Sequence, residues 1–97
     1  MNELENQIKE FLLEVSNKYK NISDDEQDYN ILRKQLQNEV EEFFYNNSRE
    51  INKLSNKACK SIEYFAVNLG NEFKSQWLGR TLWYHGVIQC FENLPKD

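Results

Sequence analysis

Ninety-seven residues bound the chain to one domain around one core. The 39% apolar and 13% aromatic content is enough to bury such a core, while three glycines and a single proline leave too little turn punctuation for a sandwich or barrel of short strands. A formal net charge of −4 argues against nonspecific binding to a nucleic-acid backbone, which draws its affinity from clustered Lys and Arg.

Leu4, Ile8, Phe11, Leu12, Val15 and Tyr19 recur at helical spacing and predict a first helix over about 2–20. Glu3, Glu5, Glu10 and Glu14 stand where a secretory leader needs a basic start and an apolar run, so a cytoplasmic chain is expected. Ser23 with Glu26 reads as a capping box, and Asp24 and Asp25 put negative charge on the first turn, where unpaired amides favour it. A second helix over about 24–45 follows, with the stripe Tyr29, Leu32, Leu36, Val40 and Phe43. Its acidic cluster Glu39, Glu41 and Glu42 reads as a solvated face.

Asn47 with Glu50 is a second cap signature, and Ile51, Leu54, Ala58, Ile62, Phe65 and Leu69 predict a third helix over about 48–69. Lys53, Lys57 and Lys60 lie along one side of it. Gly70 suits the left-handed conformation that closes a helix, and Asn71 suits the cap of a fourth over about 72–93, beyond which Pro95 forbids continuation. The longest uncharged run, Thr81 to Phe91, is too short to span a bilayer. These elements predict an all-α fold, a small antiparallel four-helix bundle in which residues 1–97 form one domain.

The predicted fourth helix departs from simple amphipathicity. Phe73, Trp77, Tyr84, Ile88 and Phe91 form one stripe, yet Leu78, Leu82, Trp83 and Val87 put apolar surface on other sides. Either the helix is the most buried of the set, or it presents a surface to another chain. The second reading makes Trp77, Arg80, Trp83, Tyr84 and Val87 binding residues, because aromatics and Arg dominate interface hot spots. Gly79 and Gly86 lie seven apart with Cys90 a turn further on, a spacing that admits a second helix at close range and suggests a homodimer through this helix.

Charge divides between the halves. Residues 1–50 carry twelve acidic and six basic side chains, and residues 51–97 carry four and six. Asp24, Asp25, Glu26 and Asp28 are therefore candidates for steering a basic partner. No cofactor is implied, since neither a phosphate-cradling glycine loop nor a glycine-flanked serine nucleophile occurs. No metal site is implied either: His85, Cys59 and Cys90 are the only soft ligands and fit no ligand spacing.

Arg80-Thr81-Leu82-Trp83-Tyr84-His85 resembles the Arg-x4-His signature of the HEPN ribonucleases, helical proteins of toxin and antiviral systems in which dimerisation pairs two copies of the motif. The resemblance implies metal-independent RNA cleavage. His85 would move a proton at the 2′-hydroxyl and Arg80 would stabilise the phosphate charge. The favoured expectation is nonetheless a non-enzymatic binding protein acting by contact with another protein, as an inhibitor, antitoxin, immunity protein or adaptor of the kind used in phage or bacterial defence. The ribonuclease, or an RNA-binding helical dimer, is the alternative, and only under it is nucleic acid a partner.

Overall fold

A computed structural model of the chain describes residues 3–22 and 28–89. Among these the fold is all-α: α1 (Glu3–Tyr19), α2 (Tyr29–Asn46), the single turn α3 (Ser48–Ile51), α4 (Asn56–Gly70) and α5 (Leu78–Trp83), which continues as a π-helical segment, Tyr84–Ile88. No described helix is long and apolar enough to cross a membrane. Helix α1 buries the predicted stripe of Ile8, Leu12, Val15 and Tyr19. Helix α2 buries Leu36 and Val40, and α4 buries Ala58, Ile62, Ala66 and Leu69. All of these enter one core, against which Phe11, Phe43 and Phe65 pack part-buried.

Side-chain contacts fix the helix directions. Phe11 stacks on Phe43 with ring centroids 4.0 Å apart, and the Tyr19 hydroxyl donates to Glu39 at 2.8 Å, so α1 and α2 run antiparallel. Trp83 donates its indole N–H to the Ala66 carbonyl at 2.8 Å, and Arg80 reaches the Asn71 carbonyl at 3.4 Å, so α4 and α5 are also antiparallel. The two hairpins lie side by side. Lys9 Nζ donates to Ser61 Oγ at 2.9 Å and the Lys74 amide to the Lys20 carbonyl at 2.7 Å, which sets α1 and α4 running the same way. The last helix packs along α2 as α1 packs along α4.

Three boundaries differ from the sequence reading. The predicted capping box, Ser23 with Glu26, lies outside the described residues. Helix α2 is observed from Tyr29, with Asp28 as its cap: the carboxylate accepts from the Asn30 and Ile31 amides at 2.9 and 3.4 Å. The single helix expected over 48–69 is interrupted at residues 52–55, because Ser55 takes an extended conformation (φ −70°, ψ 159°) and its hydroxyl accepts from the Ala58 amide at 3.1 Å, starting α4 afresh. The helix expected from 72 starts at Leu78, preceded by a turn segment that buries Phe73, and buried Ser75 accepts the Gly79 amide at 2.9 Å.

Gly70 does not adopt the expected left-handed conformation, for no described glycine has positive φ. Its lack of a side chain serves packing instead. A Cβ there would lie 2.8 Å from Cδ1 of Trp83, so the indole occupies the space a larger residue would need.

Candidate functional site

The last helix is divided into three faces, and that division sorts the residues the sequence singled out. Its inner face carries Gly79, Leu82, Trp83, Gly86 and Val87, all buried. Trp83 is 1% exposed and Val87 fully enclosed, so these two predicted binding residues are core residues and leave the candidate surface. Trp83 packs its ring 5.3 Å from Phe73. The helix that approaches Gly86 belongs to the same chain: a Cβ would sit 2.6 Å from Cδ2 of Leu36 on α2. The glycine spacing expected to admit a second copy therefore seats α2, Phe73 and Ser75 within one molecule. Cys90 and Phe91 lie outside the described residues.

Trp77, Leu78, Thr81 and His85 make a second face. With Tyr29 of α2 they line an open groove of about 370 Å³. Trp77 is 78% exposed at the head of α5, a large apolar ring left in water beside apolar walls. Asp28 precedes Tyr29 at the same end of α2 and is exposed. The other members of the predicted acidic segment, Asp24, Asp25 and Glu26, lie outside the described residues.

The third face carries Arg80 and Tyr84. Together with Val67 of α4, its capping residue Asn71 and Ile88 they enclose a groove of about 220 Å³ whose base is formed by Gly70 and Trp83. Tyr84 is 46% exposed, and Tyr64 and Val67 on the adjoining side of α4 are 71% and 43% exposed. Sequence reading passed over Tyr64 and Val67 because their spacing departs from the α4 core stripe. Spacing alone does not reveal that Val67 shares a groove with the last helix.

Arg80 and His85 thus line different grooves. Five residues on a helix of 3.6 per turn place two side chains well apart around the axis, and within one chain the pair does not converge on a shared point. His85 lies edge-on to Tyr84 with ring centroids 5.7 Å apart. Among the described residues, the groups whose titration the fold displaces belong to the helix packing. Burial and the Glu39 hydrogen bond push Tyr19 up; burial raises Glu39, but hydrogen bonds from Lys18 and Tyr19 outweigh it and hold the carboxyl below its usual range. The Lys9 hydrogen bond similarly lowers Glu5. Among the described residues no three His, Cys, Asp or Glu side chains gather to hold a metal ion. No protein-family model, curated protein or solved structure matches the chain.

Proposed function

We propose that this chain is a small cytoplasmic binding protein that acts by contact with another protein, as an inhibitor, antitoxin, immunity protein or adaptor, through the solvent-facing flanks of its last helix. One observation carries the reading: the surplus aromatics of that helix are sorted, Trp83 inward and Trp77 and Tyr84 outward, with the outward pair beside apolar grooves on opposite sides of the core face. Exposed Trp and Tyr rings with Arg nearby are the side chains from which most interface hot spots are built. Arg80 and His85 line different grooves of one chain, so RNA cleavage would need a second copy to bring cation and imidazole to one scissile bond, whereas contact with a partner needs no such pairing.

The test is a paired substitution, Trp77→Ala with Tyr84→Ala. Both rings stand substantially in water, so the melting temperature should scarcely change, while affinity for a purified cognate protein should fall by about 2 kcal/mol or more. Unchanged affinity in a folded double variant would remove the last helix as the binding surface.

A further inference from the structure

The two helical hairpins differ in charge. Among the described residues, 3–22 and 28–51 carry nine acidic and six basic side chains, whereas 52–89 carry two acidic and five basic. Of those five basic residues, Arg80 lines the groove between α4 and α5, and Lys57 and Lys60 lie on the α4 face that leads to it. Arg80 is exposed at one end of it, held by the Asn71 carbonyl. Along α4 and its cap, Lys60, Tyr64, Val67 and Asn71 follow at steps of four, three and four, which puts them on one exposed stripe leading along the groove, and exposed Lys57 extends it two turns before Tyr64. None of these positions is acidic; the acids of this hairpin are half-buried Glu63, beside the stripe, and exposed Glu72, next to Asn71. The groove itself is apolar, walled by Val67, Tyr84 and Ile88 over the Trp83 ring, with room for about one large side chain.

We propose that the groove between α4 and α5 receives an acidic amphipathic helix of the partner protein, one apolar residue anchoring over Trp83 and carboxylates meeting Lys60 and Arg80. This rests on the contact reading above and names the partner's chemistry. Three features select that occupant. An apolar slot matches a hydrophobic anchor, which a sugar-phosphate backbone does not offer. Cations at the two ends of the stripe complement acids about three turns apart on a helix. Both walls are helices whose backbone groups are already paired within themselves, so they provide no strand edge, and an incoming segment must satisfy its own amides, as a helix does.

A displayed library of helix-forming peptides, selected at low salt against the purified full-length chain, tests this whichever protein the partner is. Enriched peptides should carry apolar residues at i, i+3 or i+4 and i+7 flanked by Asp and Glu. Their affinity should fall at least about tenfold for the Lys60→Glu, Arg80→Glu variant, and Lys-for-Glu exchange in the peptide should restore it. That rescue shows the variant is folded and the contact direct. Peptides without acidic bias, or binding indifferent to Lys60 and Arg80, overturn the proposal. Loss of binding with Trp77→Ala but not with Arg80→Glu overturns it while leaving the contact reading intact; indifference to every substitution on the last helix defeats both. Single-stranded oligouridylate binding to the same face, where no peptide does, makes the occupant RNA and overturns it as well.

Discussion

Trp83 ties the second hairpin together: its ring fills the space left by Gly70, packs on Phe73, and gives its N–H to the Ala66 carbonyl inside α4. Trp83→Ala removes all three contacts and should destabilise the protein by about 3–5 kcal/mol in denaturant titration. Trp83→Phe keeps most of the packing but leaves the Ala66 carbonyl without this donor, and should cost less. Gly86 presents the opposite case. Alanine there gains about 1 kcal/mol of helix propensity, yet its methyl would collide with fully buried Leu36, and overpacking of this kind costs about 1–3 kcal/mol. Gly86→Ala should therefore be destabilising in the native sequence and less so when Leu36 is first cut to Ala, a coupling that a double-mutant cycle reads directly. The Lys18, Tyr19 and Glu39 network adds a pH signature. Glu39 titrates below its ordinary value of 4.5 in the folded chain, so its contribution is present above that value and is lost as the pH falls through the folded pKa. Tyr19 titrates above its ordinary 10, so its contribution is lost as the pH rises past that value. Glu39→Gln should flatten the acid limb of the stability profile.

At the scale of elements, the apolar stripes of α1, α2 and α4 were legible because each runs as uninterrupted amphipathic helix with one packed face. The last helix was not, for a reason specific to it. Counting Phe73, Trp77, Tyr84 and Ile88 as one stripe assumes continuous helix from residue 72, but residues 71–77 are not α-helical and the wider π turn from Tyr84 adds its own shift of register. The inward face is instead Leu82, Trp83 and Val87, so of the two tryptophans read as binding residues only Trp77 stands in solvent. Cap chemistry explains the other differing boundaries: the observed helix starts are capped by Asp28 and Ser55, which have Ile31 and Ala58 three residues on and so lack the Glu or Gln of a capping box. Asp28→Ala and Ser55→Ala should each cost about 1 kcal/mol, since each removes a side-chain acceptor from a helix start. His85→Ala belongs to the same element. The imidazole is exposed and lines a groove separate from that of Arg80, so the substitution should leave stability unchanged; loss of an RNA-cleaving activity in the purified His85→Ala protein would favour the alternative use of this helix.

On the scale of the whole molecule, a single core unites two hairpins that carry opposite net charge among the described residues, and the groove lined by Arg80 lies on the hairpin that also exposes Tyr64, Trp77 and Tyr84. Association through that surface should therefore weaken as salt rises, because rim charges act mainly on the encounter rate and are screened. On the proposed function, the flanks of the last helix meet the partner while its inner face holds the core. Site-specific photo-cross-linking in cells tests it most directly, with a photoreactive phenylalanine placed singly at Trp77 and Tyr84 and, for comparison, at exposed Glu10 and Glu41 on the acidic hairpin. One discrete adduct, of the same partner, is expected from Trp77 and from Tyr84, and none from Glu10 or Glu41; adducts confined to the acidic hairpin would rule out the last helix as the binding surface.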